Sequence, residues 1–231
     1  KGSILGDKTR MEQLGKLSNV FIRPSPSANV LGGVARKTRE TIVLCEAAGY
    51  DFIIVETVGV GQSETMVKSL VDMFLLLLQP GAGDELQGIK RGIVEMADLI
   101  VINKADGNMK SPANKTILEY KNALHLFPPT TNNWDVPVLS CSSIEKTGLP
   151  EIEEAITRFR NTMKSSGFFV QNRKKQNENW LNQNLFDRLK SEFLNTAGIP
   201  EKLVQLKEEV ASGNISPFKA AKILIDRFKK S

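Results

Sequence analysis

The run LIVINKAD, residues 99–106, ends an apolar stretch with three polar side chains, Asn103, Lys104 and Asp106. A carboxylate at the mouth of a buried strand can accept two N–H bonds from guanine, at N1 and at the exocyclic amine. Adenine lacks that donor pair, and a mismatched base would leave a buried carboxylate unpaired, which is costly. The Asn103 amide can serve the other edge of the base, and the Lys104 stem can lie along its face. Alone, N-K-x-D is a weak signal that arises by chance. Its position straight after LIVI strengthens it.

Such a site requires a second loop that closes over the base from the next strand. PVLSCSSIEKTGLPEI, residues 137–152, supplies an apolar run, then Ser142 and Ser143, then Gly148 ahead of a helix. A plain strand-to-helix turn would read similarly, but the order of the two segments favours a nucleotide site. Upstream, DFIIVETVG (51–59) carries Glu56 at the end of an apolar run and Gly59 three residues later. An acid there can hold a divalent metal, often through water. A glycine lets backbone N–H groups approach a terminal phosphate.

These segments resemble those of GTP-binding proteins, with departures. Glu56 stands where most have Asp, and Ser143 stands where Ala is usual. Val60 follows the glycine where many carry a water-orienting Gln, and Gln62 lies two residues further on. Slow intrinsic hydrolysis is the expectation. The phosphate cradle G-x-x-x-x-G-K-[ST] does not occur in these 231 residues. The expectation is that the chain is N-terminally incomplete and lacks the Walker A part.

The elements that would position these residues alternate. Strand patterns cover 19–24, 51–56, 72–79, 99–104 and 137–142. Helical patterns cover 38–49, 63–71, 83–98, 114–127 and 149–163. This alternation predicts an α/β fold with a mostly parallel sheet covered by helices, whose ligands bind at the carboxyl ends of the strands. Residues 168–231 hold helical patterns only, and Trp180, Leu181, Leu185, Leu189 and Phe193 recur at helical spacing. The expected division is a nucleotide domain over 1–165 and a helical arm over 166–231.

Composition narrows the field. Net charge is +5, with 41% hydrophobic and 25% charged residues, as in ordinary globular proteins. The basic cluster Arg173-Lys174-Lys175 lies in a Gln/Asn-rich helical stretch, which argues against nucleic acid as partner. Cys45 and Cys141 sit in apolar runs and read as small buried hydrophobes, not as a disulfide framework. The sole histidine, His125, has no cysteine partners for a zinc site. The apolar stretch around MFLLLL is too short to span a bilayer.

Taken together, GSILGDKTRM, RPSP, LGGVARKT, CEAAGYD, ETVGVGQSE, VDMFLLLLQPGAGDELQGIKRGIVEMAD and NKAD closely resemble the MeaB/ArgK family. These are P-loop GTPases associated with methylmalonyl-CoA mutase. The resemblance is dense from residue 1 to 106 and thins in the helical tail. It implies a P-loop NTPase-type sheet with a C-terminal helical dimerisation extension. It implies GTP/GDP and Mg2+ as ligands, with Asp7 and Glu56 near the metal. It places Glu56 to Gln62 in one switch, and Asp84, Glu85, Gln87 and Lys90, within Gln79 to Lys90, in another. An ordinary helix N-terminus with acids favoured by its dipole is compatible with that last segment.

The implied role is a chaperone that gates adenosylcobalamin delivery to an acyl-CoA mutase, such as methylmalonyl-CoA mutase, and protects it. The implied assembly is a homodimer through the C-terminal helices, with no nucleic-acid or membrane partner. The implied setting is the bacterial cytoplasm or the mitochondrial matrix. The alternatives are an ArgK-type ATPase or kinase linked to amino-acid transport, and a non-catalytic dimeric scaffold.

Overall fold

The computed structural model describes residues 11–24, 31–57, 63–81, 91–128 and 132–230. Two compact units divide the chain, Lys1–Val170 and Gln171–Ser231.

In the first unit the order is α1 (Leu31–Ala47), α2 (Ser63–Lys68), β1 (Leu75–Leu78), α3 (Arg91–Glu95), β2 (Leu99–Ile102), α4 (Lys110–Leu124), β3 (Val138–Ser140) and α5 (Leu149–Ser165). The strands form a parallel sheet in the order β1-β2-β3, with Leu78 opposite Ile102 and Ile102 opposite Ser140. β2 lies between two partners and reads LIVI, apolar throughout, as a strand covered on both faces must. None of its four residues is more than 1% exposed.

Alternation along β2 divides the core. Ile100 and Ile102 pack with Phe74, Leu76, Val94, Ala113 and Tyr120, joining α3 and α4 to one face. Leu99 and Val101 pack with Cys141, Ala155, Ile152 and Ile156, joining α5 to the other. The result is a helix–sheet–helix sandwich.

The strands expected over 19–24 and 51–56 do not form. Residues 20–24 and 52–57 have no regular secondary structure, and Phe21, Phe52 and Ile54 are 59%, 60% and 92% exposed. Their β-forming composition is intact, but a strand is defined by a ladder, and neither run has one among the described residues. The helix expected over 114–127 begins earlier, at Lys110, after a 3-10 turn at Gly107–Met109. Cys141 is buried as expected, whereas Cys45 is only half-buried; both thiols are free.

At the amino end of β2, Asp98 ties four segments together. Its carboxylate accepts from the Phe74 N–H at 2.7 Å and from the Lys68 ammonium, and its carbonyl accepts from Trp134 Nε1–H at 2.8 Å. Burial pushes the Asp98 carboxyl above its ordinary value of 3.8, against the Lys68 charge and the two hydrogen bonds, which pull it down. A raised folded-state value means that the native protein holds this proton more tightly than the unfolded chain. The contribution of Asp98 to stability therefore falls as pH rises above 3.8.

Asp98→Ala leaves the Phe74 N–H and the Lys68 ammonium unpaired and should cost about 1–3 kcal/mol in urea unfolding. Asp98→Asn keeps an acceptor for Phe74 and should cost less. It should also remove the decline in stability above that pH, measured by the same unfolding series.

The second unit holds the remainder of α6 (Phe168–Asn195), then α7 (Ile199–Ala211) and α8 (Pro217–Phe228). Its core is Ile199, Leu206, Ala220 and Leu224, with Phe193 and Phe228 edge to face at 5.2 Å. Ser216 caps α8 by accepting from the Lys219 N–H. Phe193, expected in an outward stripe, is thus half-committed to this core. Trp180 is half-buried. Leu181, Leu185 and Leu189 are exposed, and Phe186, which the spacing did not single out, is exposed at 68%.

Candidate nucleotide-base site

Parallel register brings the carboxyl ends of the strands to one edge of the sheet. The Asn103 N–H donates to the Leu78 carbonyl at 2.8 Å, and the Cys141 N–H donates to the Ile102 carbonyl at 2.9 Å. The Ala105 N–H then donates to the Cys141 carbonyl at 3.0 Å, which ties residues 103–106 to the loop after β3. Lys104 adopts φ 61°, left-handed and uncommon for a side chain of its kind, at the corner where the chain leaves β2.

Four hydrogen bonds fix the side chains. Ser142 Oγ donates to Asp106 Oδ2 at 2.5 Å and accepts from the N–H groups of Ile144 and Glu145 at 3.2 and 3.0 Å. Ser143 Oγ donates to Asn103 Oδ1 at 3.1 Å. Ser142 is fully buried, and one hydroxyl serves both to aim the carboxylate and to fold its own loop. A carboxylate offers about four acceptor positions, so Asp106 can still take two N–H donors.

Asn103 Oδ1 accepts from the Lys104 N–H at 2.8 Å, from Ser143 Oγ and from Cys141 Sγ at 3.4 Å. A backbone N–H can only donate, so it sets the sense of the amide: oxygen toward the loop, with the NH2 as the remaining donor. Burial pushes the Cys141 thiol up, which keeps it in its donor form.

The loop itself allows little change. The Ser142 N–H donates to the Thr147 carbonyl at 3.0 Å, closing residues 142–147. Gly148 has φ 76°, and a Cβ there would lie 2.1 Å from the Ser140 carbonyl oxygen. Lys110 and Glu145 pair at 3.1 Å across the two loops, an exposed contact of small energetic weight. A depression of about 290 Å3 beside the cluster is lined by Ala105, Leu139, Cys141, Thr147 and Glu151 among others, and by neither Asn103 nor Asp106.

The structure therefore brings together Asn103, Lys104, Asp106, Ser142 and Ser143. Glu56 is exposed in segment 52–57, which has no regular secondary structure. Asp7, Gly59, Gln62, Asp84, Glu85, Gln87 and Lys90 lie outside the described residues. His125 is exposed, and no group of three or more His, Cys, Asp or Glu residues that could hold a metal occurs among the described residues. The Cys141 thiol and the Lys110–Glu145 pair were not foreseen, because neither carries a local spacing signal.

The parallel sheet, its covering helices and the polar loops at its carboxyl edge belong to the P-loop NTPase class. A solved structure described as "Crystal structure of LAO/AO transport system kinase" superposes with a TM-score of 0.70 at 36% identity, over 98% of this chain and 69% of that one. The sequence model described as "Methylmalonyl Co-A mutase-associated GTPase MeaB" matches residues 1–197, and the chain belongs to that family. Among relatives, GTPase ArgK of Escherichia coli is 51% identical over 180 residues, covering 78% of this chain and 54% of that protein. The mouse protein named methylmalonic aciduria type A homolog, mitochondrial, is 45% identical over 228 residues, covering 99% and 55%. The chain thus spans about half the length of these two relatives. No helix among the described residues is long and apolar enough to cross a membrane.

Ser142→Ala removes an acceptor from two backbone N–H groups and a donor from Asp106. Hydrogen exchange at Ile144 and Glu145 should accelerate, and unfolding should show a loss of about 1–3 kcal/mol.

Proposed function

We propose that the complete protein is a GTP-binding and GTP-hydrolysing chaperone for an adenosylcobalamin-dependent acyl-CoA mutase such as methylmalonyl-CoA mutase. The observation that carries the nucleotide reading is the Ser142–Asp106 hydrogen bond. It holds a carboxylate at the sheet edge beside the Asn103 amide, the arrangement that guanine's donor and acceptor edges require. Asp106 takes the N1–H and the exocyclic amine, Asn103 serves the other edge, and Lys104 lies along the face. The Ser142–Ser143 loop closes the site.

Glu56 and Asp7 are assigned to Mg2+, Gly59 to the terminal phosphate and Gln62 to the water side. Mg2+ keeps most of its waters and takes only one or two protein carboxylates together with substrate phosphates, so this sparse donor set suits it. When bound, the ion neutralises charge that develops between the phosphates. Asp84, Glu85, Gln87 and Lys90 are assigned to the second switch. The mutase connection rests on the family description and on the mouse relative's name. A kinase or ATPase of amino-acid transport is the second reading, favoured by the name of the structural neighbour, a transport system kinase. Against it stands a base-site carboxylate, which adenine cannot satisfy.

Asp106→Asn should shift preference from guanine toward xanthine nucleotides, because an amide can donate to the O2 carbonyl that xanthine carries. Calorimetry on the full-length protein is the measurement. Unchanged GTP affinity and no gain for xanthine nucleotide would remove residues 103–106 from the site, and tighter ATP than GTP binding by the parent would favour the kinase reading.

The helical tail is assigned to homodimerisation. Leu181, Leu185, Phe186 and Leu189 are exposed on α6, and apolar surface left in water costs roughly 25 cal/mol per Å2. A second copy can cover the stripe with the same surface. Truncation after residue 165 should yield a monomer in sedimentation. A truncated protein that dimerises with undiminished affinity would move the interface to the nucleotide domain.

A further inference from the structure

We propose that Gln79 is a positioning residue of the base site, which holds Lys104 in place and anchors it to the turn that follows β1. This rests on the reading of residues 103–106 as a guanine site. Leu78 and Ile102 are register partners, so Gln79 and Asn103 leave the sheet side by side. Lys104 Nζ donates to Gln79 Oε1 at 3.2 Å. A lysine side chain forfeits more rotamer freedom on being fixed than most, so a partner that holds it before nucleotide arrives lowers the cost of binding. The amide is suited to this. It accepts from the ammonium without neutralising it and leaves the positive charge for the nucleotide.

Gln79 is itself held. Pro80 follows with its fixed φ. Gly81 then takes φ 82°, and its N–H donates to Thr116 Oγ1 at 3.2 Å. Thr116 is 1% exposed on α4, within the core that β2 also joins. The chain Lys104–Gln79–Pro80–Gly81–Thr116 therefore runs from the base site to a buried hydroxyl. The segment assigned to the second switch begins from this turn.

The test is the dissociation rate of a fluorescent GDP analogue from the full-length protein by stopped flow. Gln79→Ala and Gln79→Met, which lack the acceptor, should speed release about three- to tenfold, the equivalent of one modest hydrogen bond. Gln79→Glu restores an acceptor but neutralises the ammonium, so release should be slower than in Gln79→Met and faster than in the parent, an order that a role in packing alone would not give. Preference for guanine over xanthine should stay unchanged in all three variants, since Asp106 sets it. Release within twofold of the parent in both Gln79→Ala and Gln79→Met, or Gln79→Glu as fast as Gln79→Met, overturns the assignment. Asp106→Asn measured alongside separates the two claims. If it gains xanthine preference while the Gln79 variants behave like the parent, only the Gln79 role falls. If guanine preference survives in Asp106→Asn, the base site falls and Gln79 with it.

Discussion

Burial of β2 on both faces is the constraint from which the rest of the first unit follows. Four consecutive residues with almost no solvent contact leave no freedom of register, because a slip by one residue would exchange the two cores. Ile100 and Ile102 must face α3 and α4, and Leu99 and Val101 must face α5. The position of Asn103 is then settled by its ladder bond to Leu78, and that of Cys141 by its bond to Ile102. The polar cluster is thus the first place at which the chain can leave a rigid strand. The Asp98 junction secures the opposite end of the same strand.

Placing the chemistry just beyond such a strand has an energetic logic. Oriented groups lose little freedom on binding a ligand if the scaffold has already fixed them. Ser142 shows how this is done with few atoms. Its hydroxyl folds the loop through two backbone N–H groups and aims Asp106 at the same time. Asn103 is oriented from three directions, one of them a backbone donor that cannot reverse.

The base-site segments were legible in the sequence because their signals are local: three polar residues directly after an apolar run, and two serines and a glycine after the next. β2 was legible for the same reason. Contacts between loops far apart in sequence were not. Nothing in the spacing pairs Cys141 with Asn103 or Lys104 with Gln79, since parallel register alone creates those meetings. The runs 19–24 and 51–56 show the converse. Composition reports an aptitude for strand, but a ladder needs a neighbour, and Ile54 is solvent-facing with none among the described residues. Phe193 illustrates a third limit: helical periodicity gave its face but not the helix hairpin that shares it.

Gly148 has a consequence for how this site can vary. With a left-handed backbone and a carbonyl oxygen where a Cβ would go, the position admits no side chain without moving β3. The loop is therefore closed to change at its carboxyl end and, through the buried Ser142, at its amino end as well. Within the loop, diversity can enter between them at residues 144–147, which are exposed, whereas Ser143 is committed to Asn103. Tuning of nucleotide lifetime from within this loop is thereby channelled into those four positions, while the geometry that presents Asp106 is inherited whole.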